Sequence, residues 1–277
     1  MSATLREILS TTISRLRQAG IDDAAREARL LLAVALDIAS DRLVLRLDER
    51  PEPDMQMRLD ALVARRAARE PLSHLTGARA FYDHVFAVSP DVLDPRPETE
   101  CLVRAALERP FSHLLDLGTG SGCILLSLLA ARPEASGLGT DLSARALKIA
   151  ARNAEALQIG LRVMFLQSDW FEAVEGRFDL ITCNPPYISA TEMTGLAPEL
   201  AYEPRLALTD ESDGLSVYRR LIPQARDFLT PEGRILVEIG HQQAAEVKQI
   251  FDRAGYRSIQ TRPDLDGRDR VVEATLG

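Results

Sequence analysis

The chain has 277 residues, enough for one large domain or for two smaller ones. Its net charge of −8 argues against broad binding to nucleic-acid phosphates, though a local basic patch can sit within that balance. No apolar run approaches the ~18 residues of a membrane span, and the N-terminus carries Arg6 in an amphipathic pattern rather than a signal peptide's apolar block.

Cys101, Cys123 and Cys183 are far apart and lack metal-ligand spacing. They read as reduced, mostly buried thiols of a cytoplasmic protein. His74, His84, His113 and His241 are equally scattered, so no metal or nucleophile–base cluster emerges.

From Thr4 to about Ala19, Leu5, Ile8, Leu9, Ile13 and Leu16 recur at helical spacing, and Gly20 ends the pattern. Asp22 or Asp23 suits the cap of a second helix with Ala28, Leu31, Leu32 and Ala35 on its apolar stripe. A helical turn is expected over Asp41–Leu47. Pro51 and Pro53 break the chain, and Asp54 is expected to cap a helix running to about Arg69. Residues 1–72 thus read as a small helical bundle without catalytic clusters. Arg65, Arg66 and Arg69 read as a solvated basic face, with a partner-binding patch as the alternative.

Residues 73–95 read as a connector containing a β-hairpin that turns near Asp83-His84. Pro97 suits the first turn of a helix, and Glu98 and Glu100 complement its dipole. The stiff stretch Leu93–Glu100 fits a helix cap and the wall of a site equally well.

Residues 96–277 alternate strands and helices. Strands are expected at Ser112–Leu117, Glu134–Thr140, Leu161–Gln167, Phe178–Cys183 and Arg234–Ile239. Tyr256–Thr261 and Arg270–Ala274 read as a closing hairpin through Asp266-Gly267. Such alternation predicts an α/β fold with a mostly parallel, Rossmann-like sheet. Ligands on such sheets bind beyond the carboxyl ends of the strands.

Four of those ends carry candidate groups. The first leads into Asp116-Leu117-Gly118-Thr119-Gly120-Ser121-Gly122, where missing Cβ atoms let a ligand lie against the backbone. The second ends in Asp141, about 20 residues on, where an acid can accept both hydroxyls of a ribose. Asp169-Trp170 follows the third. Asp169 can accept from an adenine amine while Trp170 packs on the ring, and the pair equally fits a loop acid and a core aromatic. The fourth delivers Asn184-Pro185-Pro186-Tyr187. Two prolines cannot continue a ladder, so Asn184 stands on a stiff turn. Its side-chain carbonyl, the Pro185 carbonyl and the flat Tyr187 ring suit a planar group bearing an NH2.

The alternating-glycine loop, the acid after the second strand and the Asn-Pro-Pro-Tyr turn resemble class I S-adenosylmethionine-dependent methyltransferases. Asn-Pro-Pro-Tyr alone is shared by amino-methylating enzymes acting on adenine in DNA, on guanine in RNA and on glutamine in proteins. The wider pattern resembles the HemK/PrmC-type methyltransferases of class 1 peptide chain release factors. Its matching stretches are 71–77, 95–100, 116–122, 184–188, Glu203-Pro204 with Ala207-Leu208, 213–215, 238–240 and 267–270.

The resemblance implies a seven-stranded methyltransferase sheet, and a helical bundle joined to it by the hairpin and serving substrate recognition. It implies S-adenosylmethionine as methyl donor, with S-adenosylhomocysteine as product. It implies N5-methylation of the glutamine in a release factor's Gly-Gly-Gln motif, by a monomer with no direct nucleic-acid or membrane partner. Asp116, Gly118, Thr119, Gly120, Ser121, Gly122, Asp141, Asp169, Trp170 and Asn184 are then expected at the cofactor. Asn184, Pro185, Pro186 and Tyr187 are expected at the substrate, with Asn184, Pro185 and Tyr187 as catalytic residues. The one departure, Asp94 where the family usually has an aliphatic residue, is expected to touch no motif residue. The rival readings are an amino-methyltransferase of nucleic acid and a non-enzymatic interaction protein retaining the fold.

Overall fold

The computed structural model describes residues 3–276. They divide into two compact units, one up to Ala78 with Pro198–Tyr202 added, the other from Arg79–Ala197 and Glu203 onwards.

The first unit packs α1 (Leu5–Gln18), α2 (Ala24–Ala35), α3 (Pro53–Ala67) and the short α4 (Leu72–Thr76). Their apolar stripes meet through Leu5, Leu16, Leu31, Leu32, Met55 and Leu59. Thr4 and Glu7 close a reciprocal capping box that satisfies two otherwise unpaired N–H groups of α1. The α3 helix starts earlier than the expected Asp54 cap. Glu52 precedes it and Pro53 takes the first helical position, where a missing N–H costs nothing.

The basic cluster at the end of α3 is only partly a solvated face, since Arg65 is exposed and Arg69 half-exposed while Arg66 is not. Arg66 is buried, with Glu27 at 2.6 Å and Glu199 at 3.3 Å, and Arg65 holds Glu70 at 2.6 Å. Arg69 also reaches Glu199, at 3.5 Å. A buried guanidinium needs such partners, because stranding its charge costs several kcal/mol.

The hairpin of β1 (Ala78–Phe81) and β2 (His84–Ala87), which belongs to the second unit from Arg79 onwards, turns at Tyr82-Asp83. Asn153 staples β2 in place by exchanging hydrogen bonds with the Ala87 backbone at 2.7 and 3.0 Å. Next come α5 (Glu100–Leu107), β3 (His113–Leu117), α6 (Cys123–Ala131), β4 (Ser136–Asp141) and α7 (Ala144–Ala156). They are followed by β5 (Val163–Gln167), β6 (Phe178–Cys183), α8 (Arg205–Leu208), α9 (Ser216–Phe228) and β7 (Leu229–Glu238). The chain closes with α10 (Ala244–Arg253), β8 (Arg257–Pro263) and β9 (Asp269–Thr275).

The sheet has seven strands in the order β5-β4-β3-β6-β7-β9-β8, with β9 antiparallel to both of its neighbours. Alternate side chains feed two cores, as strand periodicity requires. Leu114, Leu180 and Leu236 meet α5 and α6 on one face, while Leu115, Ile181 and Val237 meet α9 and α10 on the other. The weak, Gly-rich β4 has a packing reason. A Cβ on Gly137 or Gly139 would stand 2.7 or 2.8 Å from Leu125 of α6. Because β3, β4 and β6 run parallel, their carboxyl ends open at one edge of the sheet.

Candidate active site

At that edge lies a cavity of about 780 Å3, inside the range of about 300–1,000 Å3 typical of small-molecule sites. The loop after β3 forms its floor. Gly118, Gly120 and Gly122 take φ values of 65°, 55° and 80°, the left-handed region where a side chain strains the backbone. Gly118, Thr119, Gly120 and Ser121 line the cavity. Gly122 instead caps α6 and packs against Leu126 and Ala150.

Asp116 lies behind the loop, fully buried. Its two oxygens accept from Thr119 Oγ1 and Thr182 Oγ1, each at 2.7 Å, so it braces the loop from below. Asp141 does face the cavity. Its carboxylate accepts from Gly120 N at 2.9 Å and from Ser143 N at 2.8 Å. A carboxylate has about four lone-pair positions, so hydroxyl donors can still be accepted.

Asp169 and Trp170 line the wall next to Asp141. Arg220 holds both Asp169 oxygens, at 3.1 and 3.0 Å, which fixes the carboxylate and leaves it part of its accepting capacity. The Trp170 ring lies over Gly118, where an added Cβ would meet it at 3.7 Å. Its lower side packs on the core beneath, so the residue serves wall and core together.

The fourth group comes from β6, which ends at Cys183 as the prolines dictate. Asn184 and Pro186 line the cavity, whereas Pro185 is buried and Tyr187 is set back from it. Asn184 Nδ2 donates to Thr99 Oγ1 at 3.3 Å, which turns Oδ1 away from Thr99 as an open acceptor. Tyr187 packs on the core and donates its hydroxyl to Glu238 Oε1 at 3.3 Å. The turn is pinned again at its exit, where Gln243 Nε2 donates to the Tyr187 carbonyl at 3.0 Å and to the Gly214 carbonyl at 3.2 Å. A Cβ on Gly214 would stand 2.5 Å from the Tyr187 carbonyl, so only glycine fits there.

The stretch 93–100 acts as wall and cap at once. Leu93, Pro95, Arg96 and Thr99 line the cavity, while Pro97–Thr99 form the helical turn leading into α5. Asp94 departs from expectation, because it does touch motif residues. It is buried, with Arg79 at 3.6 Å and Arg96 at 4.0 Å, and its N–H donates to Glu203 at 3.4 Å. Arg96 closes the group by pairing with Glu203 at 2.6 Å. Buried charges are tolerated when paired, and each acid in this group has a guanidinium beside it.

Thr99, Glu238 and Gln243 hold the turn through contacts that periodicity and motif spacing do not mark. The one visible signal was Glu238, a charged residue closing the apolar run Ile235-Leu236-Val237. Among the described residues no group of three or more His, Cys, Asp and Glu is placed to hold a metal ion.

A family model described as the PrmC N-terminal domain matches residues 7–77, and one described as the methyltransferase small domain matches residues 83–211. A Cereibacter sphaeroides protein named release factor glutamine methyltransferase is 50% identical over 271 residues, 98% of each chain. The chain belongs to the release factor glutamine methyltransferase family. Another relative of that name, from Rhodospirillum rubrum, is 42% identical over 98% of this chain and 84% of its own. A solved methyltransferase structure from Pyrococcus furiosus shares the fold, with a TM-score of 0.57 at 19% identity over 77% of this chain and 98% of that one.

Two buried carboxyls give this family member a pH signature. Burial pushes Asp116 up to about 6, against the pull of the Thr119 and Thr182 hydroxyls. Burial also pushes Glu238 up to about 7, against Thr99, Arg270 and Tyr187, with Glu98 adding to the rise. A raised carboxyl pKa means that the folded state holds a proton the unfolded chain has released. The stabilising contribution is therefore complete below the unfolded values near 4 and is lost as pH rises through about 6 to 7. The melting temperature is expected to fall between about pH 5 and pH 8, and Glu238→Gln is expected to flatten the upper part of that fall. A scanning-calorimetry series that rises across this window contradicts the assignment.

Proposed function

We propose that this chain transfers a methyl group from S-adenosylmethionine to N5 of the glutamine in the Gly-Gly-Gln motif of class 1 peptide chain release factors. The observation that carries the reading is the orientation of Asn184. Its NH2 is engaged by Thr99, so the acceptor Oδ1 is the group left for a substrate NH2. It stands in the same cavity as the glycine loop and Asp141.

The lining fits the cofactor. The left-handed Gly118 and Gly120 let a flat or extended ligand lie on the loop. Asp141 offers a charged acceptor for ribose hydroxyls, and the Trp170 ring over Gly118 offers an apolar wall for a base. Ser121 Oγ, buried without a partner, is a further polar atom at the loop. When bound, the sulfonium cofactor supplies an already activated methyl group, so the protein's share is alignment and electrostatics.

A carboxamide nitrogen is a poor nucleophile, because its lone pair is drawn into the carbonyl. Asn184 Oδ1 and the Pro185 carbonyl accept its two hydrogens, favouring positive charge on the nitrogen and holding it in line for attack. Alignment of this kind is worth up to ~7–11 kcal/mol in ideal cases. Pro186 supplies the flat wall at the amide, and Tyr187 holds the turn from behind rather than pressing on the substrate. The proton lost after transfer goes to solvent.

The first unit grips the release factor away from the reacting glutamine. It has its own core. A chain beginning at Leu72 is expected to keep its cofactor affinity and to lose turnover at low release-factor concentration. Equal efficiency of the short and full chains would defeat this assignment. The enzyme acts as a cytoplasmic monomer, on a protein rather than on nucleic acid, in keeping with its net charge of −8. Incubation with methyl-labelled cofactor and either a release factor or RNA and DNA tests the substrate class. Label is expected on the release factor alone, and label on nucleic acid would favour the amino-methyltransferase reading.

A further inference from the structure

Trp170 is the chain's single tryptophan, and its backbone φ is 51°. A bulky residue in that left-handed region is strained, and such strain persists only where the surroundings hold it. The holding contacts come from two sides. Within the turn, Ser168 Oγ donates to the Trp170 carbonyl and accepts from Ala173 N, each at 3.0 Å. The helix α9 supplies the rest. Phe228, its last residue, stacks on Phe171 with ring centroids 4.6 Å apart and planes 15° from parallel. Further back on the same helix, Arg220 reaches both ends of the turn. Its Nη1 donates to the two Asp169 oxygens at 3.1 and 3.0 Å, and its Nη2 donates to Glu172 Oε1 at 3.1 Å. One guanidinium thus bridges the residues that flank Trp170 and Phe171. Asp169 and Trp170 line the cavity, whereas Arg220 stands behind them.

We infer that Arg220 is a positioning residue for the cofactor's base: it holds the turn from Asp169 to Glu172 and fixes the direction in which Asp169 offers its lone pairs, and so sets the preference for an adenine amine. This rests on reading Asp169 as the acceptor of that amine.

The physical reason is the freedom of an exposed acid. The Asp169 side chain is 36% exposed, and among the described residues no side chain other than Arg220 bonds its carboxylate. A free carboxylate turns through several rotamers in water, and a ligand amine has to order it on binding, at a cost in affinity. A clamped carboxylate is ordered in advance. It has about four lone-pair positions, of which Arg220 takes two, so acceptors remain in fixed directions. The bridge also accounts for the residue type. A guanidinium is a planar fork whose nitrogens serve two acids at once, whereas a lysine ammonium is a point charge.

Stability does not account for the arrangement. Arg220 is 41% exposed and Glu172 68%, and ion pairs so exposed add little to the stability of a fold. What they hold is the strained turn that faces the ligand.

The test uses the full chain with Arg220→Met, Arg220→Lys, Asp169→Ala and the double variant of Arg220→Met with Asp169→Ala. Calorimetry compares S-adenosylhomocysteine with its analogue carrying unsubstituted purine in place of adenine. The purine lacks the amine and adds no donor, so the ratio of the two affinities reads the amine contact alone. In the wild type the ratio is expected to be ~10–100-fold, the worth of a hydrogen bond to a charged group. Arg220→Met is expected to lower it by ~3–10-fold, the cost of ordering one side chain on binding. Arg220→Lys falls in between, because an ammonium holds Asp169 without bridging to Glu172. Asp169→Ala brings the ratio close to one, and Arg220→Met added to it changes the ratio no further, since positioning acts through the acid. In the ligand-free protein, acrylamide quenching of Trp170 fluorescence is expected to rise in Arg220→Met.

A folded Arg220→Met that keeps the wild-type ratio overturns the inference. So does an equal loss of affinity for both ligands, which marks a merely structural residue, and so does Trp170 quenching unchanged from the wild type. If the wild type itself binds both ligands alike, the reading of Asp169 fails and the inference with it. A wild-type preference that survives Arg220→Met defeats the inference alone.

Discussion

Asn184→Ala is expected to lower methyl transfer by ~10²–10³-fold in kcat, the usual result of losing one pre-organised electrostatic contact. The fold is expected to survive, because Pro185 and Pro186 still end β6 and Gln243 still pins the turn. Cofactor affinity is expected to be largely kept, since the glycine loop and Asp141 are untouched. Asn184→Asp divides two possibilities. An aspartate keeps an acceptor of the same size, so mere acceptance would preserve some activity. It loses the NH2 that Asn184 gives to Thr99, and it adds a negative charge. With that bond lost, the aspartate is expected to fall as far as alanine. Tyr187→Phe costs less than either, because the ring remains and only the bond to Glu238 is lost. Single-turnover rates with saturating cofactor compare the three, and a near wild-type rate in Asn184→Ala would reduce the motif to a structural turn.

Asp141→Ala carries the other large effect. On the proposed reading two ribose hydroxyls lose a charged acceptor, and hydrogen bonds to charged groups are worth ~1.5–3 kcal/mol each. The same carboxylate also fixes the loop, through Gly120 N and Ser143 N. Its removal frees a left-handed glycine loop as well as a ligand contact. Affinity for S-adenosylmethionine is therefore expected to fall by at least ~10²-fold, since every 1.4 kcal/mol is a factor of ten. Asp141→Asn, which keeps one acceptor, is expected to lose less. Unchanged affinity of Asp141→Ala by calorimetry would show that Asp141 holds no ribose.

The sheet was legible because each of its signals is local. An apolar run before Asn184-Pro185-Pro186 can only end a strand, and alternation with helices leaves few topologies besides a parallel sheet. The strand ends carrying Gly118, Asp141, Asp169 and Asn184 line one cavity because parallel strands bring their carboxyl ends to one edge. What escaped depends on partners distant in sequence. Arg66 looked solvated because Glu27 and Glu199 lie 39 and 133 residues from it. Asp94 looked inert because the Glu203 it meets lies 109 residues on. Periodicity carries no information about such pairings. The Gly-rich β4 looked weak for a related reason. Its glycines answer to Leu125 on α6, a packing partner and not a neighbour in the strand. Asp116 and Tyr187 were grouped with the cavity by motif membership. Asp116 is buried and Tyr187 half-buried, and neither lines that cavity; they bond to the loop and hold the turn that do.

The most direct test of the account is peptide mapping of a class 1 release factor after incubation with this protein and S-adenosylmethionine. The account predicts one added methyl on the side-chain nitrogen of the glutamine in the Gly-Gly-Gln motif, and its loss with Asn184→Ala. A methyl on any other residue, or an unmodified release factor in the presence of tightly bound cofactor, would contradict it.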